Sequence, residues 1–271
     1  QVTAVGATPA GLTDCLNFGD PTVPEQMGAF VAAVDGLAKA ATALEVPFVS
    51  GNVSLYNRSS SGNHVAPSPI VGCVGSIADV SQIGDSSFKR AGSVIGIVGF
   101  PEIAYGGSVI ADLTGTVSTT LPTVNYAYFS RSCALIRAGL ANGLLLAVHD
   151  VSDGGILTAV AEMACGALDE RSLGAALVHA DALYDVDLWV GDFIPLTGLE
   201  LWFAEFPGFV CEVEDWAAFR RLSNEFQVKT HYAGDTIAEP FLRTAYDQEI
   251  SVRDLLEAWE APLRDFYGSV A

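Results

Sequence analysis

The chain has 271 residues, half of them hydrophobic and 17% charged, so it can bury the core of two compact domains or of one large one. A formal charge of −19 at pH 7 argues against a nucleic-acid binder or an anionic-membrane binder that relies on a basic face. The five cysteines are spread singly, which argues against a zinc ribbon and indicates a reducing compartment. No run of 18 apolar, uncharged residues is present, so we expect no membrane-spanning helix.

The first hundred residues predict one long helix and three strands. Apolar residues recur at three- and four-residue spacing over residues 22–45, which predicts a helix with one buried stripe. Thr22 is its expected N-cap, and Pro24 lies in its first turn. Short apolar runs predict strands at 46–50, 70–77 and 93–100.

Helices and strands are mixed in the rest of the chain. Helices are predicted at 125–143, 154–167, 215–226 and 250–260, and strands at 144–148 and 228–233. The runs 199–206 and 209–215 predict a hairpin around Pro207 and Gly208. This mixture indicates an α+β or mixed α/β fold. The hydrophilic, glycine-rich segment 84–92 predicts a boundary between an N-terminal domain, 1–90, and a C-terminal domain, 91–271.

Small polar side chains follow two of the predicted strands. In "TDCLNFGD", Asp14 can accept a hydrogen bond from a nucleotide or pair with a cation. In "SGNVSLYN", Gly51 lets a ligand lie against the backbone, Asn52 offers an oxygen suited to Mg²⁺, and Ser54 offers a hydroxyl to an anion. Both stretches are equally typical of polar turns, and the residue types alone leave the two interpretations open.

A third stretch, "LLLAVHDVSDGG", joins a buried strand to a helix. The helix N-terminus and its two glycines suit a phosphate, and Asp150 suits a metal. The alternative is an ordinary turn in which Ser152 or Asp153 is the N-cap. His149 is expected to be a packed histidine, because no other histidine lies near it in the sequence. A further glycine-rich turn, "YGGS" at 105–108, is a weak signal by itself.

Taken together, these stretches resemble the phosphoribosylformylglycinamidine synthase family, and specifically the C-terminal half of its single-chain synthetase subunit. The motifs that carry the resemblance run in the family's order and cover nearly the whole chain: "TDCLNFGDPTVPEQMGAFVAAVDGLAKA", "PFVSGNVSLYN", "PSPIVGCVGSI", "YGGS", "VHDVSDGG", "AEMA" and "LLEAWEAPL". The family belongs to the ATP-binding superfamily of aminoimidazole ribonucleotide synthetase. The resemblance therefore implies an aminoimidazole-ribonucleotide-synthetase-like pair of domains.

The resemblance also implies a site and a reaction. Six positions match: ATP contacts at Asp14, Gly51 and Ser152, magnesium ligands at Asn52 and Asp150, and a substrate contact at Ser54. The implied enzyme is a cytoplasmic ligase of purine biosynthesis that uses ATP and Mg²⁺. It converts formylglycinamide ribonucleotide and glutamine-derived ammonia to formylglycinamidine ribonucleotide. The implied partners are the N-terminal half of the same enzyme, a glutaminase subunit and a small accessory subunit, without nucleic acid or membrane.

This sequence departs from the family pattern in places. The family's "GGSEY" is "GGSVI" here, so Val109 replaces an acidic residue. The catalytic histidine, several metal carboxylates and a lysine of the family's N-terminal half have no counterpart, and no carboxylate, nucleophile or base within the chain is assigned as catalytic. We therefore expect a piece of the enzyme that is inactive alone and truncated at its start. Two alternatives stay open: another synthetase or small-molecule kinase of the superfamily, or a nucleotide-binding half with a structural role.

Overall fold

A computed structural model describes residues 1–101, 104–166, 173–178, 199–245 and 247–268. The chain divides into two compact units. One consists of Val2 and Ala7–Val80, and the other of Gln1, Thr3–Gly6 and Ser81–Ala271. Each contains both strands and helices, in agreement with the predicted mixed α/β class. The domain limits predicted from the sequence, 1–90 and 91–271, remain a prediction.

The smaller unit contains a three-stranded sheet in its described residues and one helix, which lies between the first and second strands in the chain. Its elements are β1 (Thr8–Asn17), α1 (Pro24–Leu44), β2 (Phe48–Ser54) and β3 (Ser68–Ser76). In the described residues the strand order is β2-β1-β3. Strand β1 pairs in parallel with β2 and antiparallel with β3. The connection between the parallel strands passes through α1, as a parallel pair requires.

Helix α1 begins at Pro24, where a missing backbone N–H costs nothing because the first turn has no intrahelical acceptor for it. The predicted cap at Thr22 is wrong: the N-cap is Val23, and no side chain caps the helix. The helix ends at Leu44, and its C-cap Glu45 adopts a left-handed conformation with φ of 57°. The start of α1 therefore coincides with Pro24 and does not depend on a capping side chain at Thr22.

The apolar stripe of α1 is not buried, which corrects the prediction. None of its residues is buried, and Met27, Val31 and Val34 are each at least 38% exposed. The sheet is similarly open, since most residues of β2 and β3 are exposed. By length and composition alone α1 could also cross a membrane, a test that core helices of soluble proteins pass as well. The stripe in the sequence thus specifies an amphipathic helix without specifying what covers it.

The larger unit is a mixed sheet with helices. After a short 3-10 turn at Val80–Gln82, its elements follow in this order: β4 (Val94–Val98), α2 (Val109–Thr114), α3 (Tyr126–Ala141), β5 (Leu145–Asp150), α4 (Gly155–Cys165), β6 (Gly174–Leu177), α5 (Leu199–Trp202), β7 (Phe209–Val213), α6 (Trp216–Glu225), β8 (Thr230–Ile237), β9 (Phe241–Arg243), β10 (Glu249–Ser251) and α7 (Val252–Tyr267). Among the described residues the strand order is β10-β9-β6-β8-β4-β7-β5. All of these pairs are antiparallel except β6 with β9.

Two apolar clusters form the core of this unit. One contains α4 with Met163 and Trp202, both fully buried, and the other contains α3 and α6 with Leu135 and Phe219. Strand β4 contributes to both clusters, because its neighbouring side chains point to opposite faces of the sheet. The sheet is therefore covered by apolar contacts with α4 in one cluster and with α3 and α6 in the other.

The predicted hairpin at 199–215 is wrong in its first half. Residues Leu199–Trp202 form a short helix, and only Phe209–Val213 form a strand, which pairs with β4 and β5 instead. Leu201, Trp202, Ala204 and Phe206 are all buried in one apolar cluster, so packing decides the conformation of this segment. The segment 203–208 is consequently a loop, and it carries Glu205 towards the start of α4.

Candidate functional site

Asp14 and Gly51 are direct neighbours across β1 and β2. The strands pair with Asp14 opposite Gly51. A Cβ atom on Gly51 would lie 2.2 Å from Oδ1 of Asp14, closer than any real contact. Gly51 has an ordinary φ, so the interpretation that it is a turn glycine with a positive φ is wrong. The Asp14 carboxylate occupies the space that a side chain at position 51 would need, so a larger residue there has to displace it.

Asn52 and Ser54 face the opposite side of the same two strands. They lie within β2, where the sequence predicted a turn after a shorter strand. Asn52 pairs with Cys15, and its Nδ2 donates to the Cys15 Sγ atom at 3.7 Å. Because successive side chains alternate between the faces, the Asp14–Gly51 pair and the Asn52–Ser54 pair point away from each other.

Three of these four residues, Gly51, Asn52 and Ser54, lie on the strand at the edge of the sheet. Strand β2 is an edge strand of the sheet in the described part of the chain. Its outer edge carries backbone N–H and C=O groups that face away from β1. A ligand at that edge can contact Gly51 through the backbone and reach side chains on both faces. The six positions implied by the resemblance are thus divided: three lie on this edge strand, Asp14 lies on the central strand β1, and the other two lie in the larger unit.

Asn57 ties the end of β2 to the end of β1, a role that the sequence did not indicate. Its Nδ2 donates to the carbonyl oxygens of Ser54, at 2.9 Å, and Phe18, at 3.1 Å. The Ser54 hydroxyl donates to Asn57 Oδ1 at 3.1 Å. Ser54 is therefore held in one orientation by a neighbour three residues away. The signal was present in the quoted stretch "SGNVSLYN", whose last residue is Asn57.

Asp20 organises the turn that follows β1. Its carboxylate accepts hydrogen bonds from the backbone and hydroxyl of Thr22 and from Arg58. The hydrogen bond from the Thr22 hydroxyl is the main cause that holds the pKa of Asp20 below its usual value, and Arg58 makes a smaller contribution. The Asp20 backbone N–H donates to Nδ1 of His64 at 3.3 Å. This network explains the polar residues of the Gly-Asp-Pro turn without any ligand.

Asp150 and Ser152, the other two predicted positions, belong to the larger unit. Asp150 is the last residue of β5, and Ser152 is exposed in the turn before α4. The N-cap predicted at Ser152 or Asp153 is wrong, since the N-cap is Gly154 with φ of 79° and no side chain caps the helix. The N–H of Gly155 donates to the Ser152 carbonyl at 3.0 Å. The turn therefore uses its own backbone, and the Ser152 side chain is left facing solvent.

The two glycines at the start of α4 are required by the protein itself. A Cβ atom on Gly155 would lie 2.5 Å from the backbone carbon of Phe203, and one on Gly154 would lie 2.3 Å from the Thr158 hydroxyl. The N–H of Gly154 donates to Oε1 of Glu205 at 2.9 Å. The sequence interpretation that both glycines leave room for a phosphate is therefore incomplete, because packing alone already accounts for them.

His149 has protein partners at both ring nitrogens, as expected of a packed histidine. Its Nε2 lies 3.0 Å from Glu162 and its Nδ1 lies 2.7 Å from the Asp150 carbonyl. The hydrogen bond to Glu162 is the main cause that raises the pKa of His149, against the opposing effect of burial. The protonated ring is thus favoured beside two carboxylates, Glu162 and Asp150.

The described residues contain no group of three or more His, Cys, Asp or Glu side chains that could hold a metal ion. The oxygen donors of Asn52 and Asp150 suit Mg²⁺ by type. Each is a single donor in its own unit. A magnesium ion held by either residue would therefore need its other ligands from elsewhere.

The sequence matches two family models, which cover most of its length. The AIR synthase related protein N-terminal domain matches residues 1–77, and the AIR synthase related protein C-terminal domain matches residues 91–246. The second match alone spans more than half of the chain. The chain therefore belongs to the AIR synthase related protein family.

Within that family the sequence is similar to one enzyme subunit in particular. It is 42% identical over 194 residues to the phosphoribosylformylglycinamidine synthase subunit PurL of Nitrobacter hamburgensis, an alignment that covers 71% of this chain and 25% of the relative. Two structures of Thermotoga maritima PurL share the fold. The one complexed with ATP has a TM-score of 0.65 at 21% identity, and the one complexed with FGAR has a TM-score of 0.66 at 22% identity. Each match covers 94% of this chain, together with 39% of the chain complexed with ATP and 40% of the chain complexed with FGAR.

Proposed function

We propose that the chain is part of a phosphoribosylformylglycinamidine synthase, an ATP-dependent ligase of purine biosynthesis. The observation that carries the proposal is the 42% identity to a PurL subunit over 71% of the chain. The chain spans about a quarter of the length of that relative. The complete reaction is therefore assigned to the whole protein, in which this chain supplies binding groups.

The proposed reaction activates an amide and then replaces its oxygen. ATP transfers its terminal phosphoryl group to the amide oxygen of formylglycinamide ribonucleotide, which leaves ADP and an iminophosphate. Ammonia derived from glutamine then attacks the amide carbon, and phosphate departs with the original oxygen. Magnesium, when bound, supplies positive charge beside the phosphates, which this acidic chain with 13 basic residues does not offer in abundance.

The proposed roles of this chain's residues are to bind and orient. Asp14 and the Gly51 backbone contact the nucleotide at the edge of β2, supported by their direct contact across the strands. Asn52 offers one oxygen to Mg²⁺, and Ser54, which Asn57 holds in one orientation, contacts the substrate. In the larger unit, Asp150 and Ser152 are proposed to serve a second nucleotide site as a metal ligand and an ATP contact.

The proposed partners follow from the same identity and from the open apolar surface. The N-terminal half of the enzyme is proposed to cover the apolar side chains that α1 and the small sheet expose: Met27, Val31, Val34, Val49, Val53, Ile70, Val71 and Val74. Apolar exposure of this extent, spread over both faces of the sheet and the helix of a small unit, is typical of interaction surfaces. A glutaminase subunit and a small accessory subunit would complete a cytoplasmic assembly.

A chimera tests this proposal directly. The corresponding segment of the Nitrobacter hamburgensis subunit is replaced by this chain, and the purified product is assayed with formylglycinamide ribonucleotide, ATP, Mg²⁺ and ammonia. We expect formylglycinamidine ribonucleotide to form, and Asp14→Ala to abolish it while Asn63→Ala in an exposed loop does not. A folded chimera that binds ADP but makes no product, when the parent subunit is active, would support the structural half instead.

A further inference from the structure

One carboxylate is shared by the two glycine-rich turns of the larger unit. Oε1 of Glu205 accepts the backbone N–H of Val109 and the backbone N–H of Gly154, each at 2.9 Å. Val109 is the first residue of α2, and Gly154 immediately precedes α4. The two turns are 45 residues apart in the chain, so Glu205 is a tertiary link between them.

The chemistry of the three groups makes this link strong. A carboxylate that accepts backbone N–H groups forms charge-assisted hydrogen bonds, which are stronger than those between neutral groups. Both donors lie at helix starts, where a negative charge is favoured by the helix dipole and the N–H groups have no intrahelical acceptor. Glu205 is half-buried, so solvent screens these bonds less than it would at the surface.

Each turn also has its own restraint, so Glu205 joins two ordered segments. Ser108 caps α2 through its hydroxyl and is 3% exposed. On the other side, Gly155 lies against the backbone of Phe203 and Ala204, two residues from the carboxylate. The loop at 203–205 therefore contacts the start of α4 at two points and the start of α2 at one.

We propose that Glu205 is a positioning residue that sets the geometry of the turn at 152–155 and couples it to the turn at 105–108. The inference rests on the proposed function, because that turn lies between Asp150 and α4 and carries Ser152, the proposed nucleotide contact. The Gly154 N–H is already used by Glu205, so it does not bind phosphate. The hydrogen bond from Gly154 to Glu205 instead holds the turn in the conformation that binds the nucleotide.

Hydrogen exchange tests the coupling in the 271-residue chain. Glu205→Ala removes the shared acceptor and with it both hydrogen bonds, Glu205→Gln keeps a carbonyl oxygen without the charge, and Glu214→Ala removes an exposed carboxylate as a matched control. We expect Glu205→Ala to speed exchange about tenfold in peptides covering both 105–112 and 152–158, equivalent to about 1.4 kcal/mol. Glu205→Gln should fall between it and wild type, and Glu214→Ala should change neither segment. Faster exchange in one turn only, or in neither, would overturn the coupling.

Calorimetric titration with ADP tests the positioning role on the same proteins. We expect the dissociation constant of Glu205→Ala to rise about tenfold over wild type, with Glu205→Gln between them. Loosened turns with unchanged ADP affinity would overturn the positioning role. If wild type itself bound no ADP, the proposed nucleotide contact at Ser152 would fail in this chain, and the exchange result alone would decide the coupling. Should Glu205→Ala not fold, a Glu205→Gln variant equal to wild type in both measurements would refute the inference.

Discussion

The contact between Asp14 and Gly51 leads to a quantitative prediction. Gly51→Ala places a Cβ atom 2.2 Å from Oδ1 and 2.9 Å from Cγ of Asp14, whereas ordinary contacts begin at 3.4 Å. The Asp14 carboxylate must therefore retreat by more than 1 Å or rotate away. The backbone of Gly51 does not have to change, because its φ is one that alanine adopts. The substitution thus displaces a proposed nucleotide ligand without remodelling the strand.

Two opposing effects determine the stability change. Overpacking costs about 1–3 kcal/mol, and a value of about 1.5 kcal/mol is taken here because Asp14 is half-buried and can rotate. Replacing glycine at a compatible φ returns about 0.4–1 kcal/mol through the unfolded state. We expect Gly51→Ala to destabilise wild type by about 1 kcal/mol, yet to stabilise an Asp14→Ala background by about 0.5 kcal/mol. The coupling energy of the double-mutant cycle should therefore be about 1.5 kcal/mol.

The assay has to report on the smaller unit. All four tryptophans lie beyond residue 188, so their fluorescence reports on the other unit. Native-state hydrogen exchange of the β1 amides gives the opening free energy of the relevant strands. An additive cycle, within about 0.5 kcal/mol, would show that the two residues do not touch. Titration with ADP on the same proteins should show weaker binding for Gly51→Ala, and normal binding would remove this edge from the proposed site.

Three further outcomes are expected. In the active chimera, Asn52→Ala should raise the Mg²⁺ concentration needed for half-maximal rate by at least roughly tenfold, which is the cost of losing an outer-shell partner of a metal ligand. The control Asn63→Ala should leave that concentration unchanged. Equal effects of the two substitutions would contradict the assignment of Asn52 as a ligand. The raised pKa of His149 means that its pair with Glu162 stabilises fully below pH 6.5 and is lost as pH rises through the raised value. The difference in melting temperature between wild type and Glu162→Gln should accordingly shrink as the pH rises above 6.5, and a constant difference would indicate an uncharged contact. The 271-residue chain alone should make no formylglycinamidine ribonucleotide from the complete substrate mixture, so clear turnover would show that it holds the catalytic groups.

The sequence by itself determined the elements whose signals are local. The proline at the start of α1, the periodicity of α3 and the apolar runs of β3 and β4 each placed an element within a few residues of its observed limits. These signals are local because capping and amphipathic spacing act within one or two turns of chain. The order of the polar motifs likewise indicated the family, which the two matched domains confirm.

Only the tertiary structure decided what those elements meet. The residues 199–206 read as a strand, yet Leu201, Trp202 and Phe206 enter one apolar cluster, and that packing outweighs a weak local preference. The stripe of α1 predicted burial, but burial depends on a covering surface that the stripe cannot specify. Gly51 was assigned to a turn or to ligand contact; the structure places it within β2 opposite Asp14, so the turn is excluded and the ligand contact stays a prediction. Glu205 gave no motif at all, because a side chain that accepts N–H groups from two turns far apart in the chain is defined by distance in space and not by spacing in sequence.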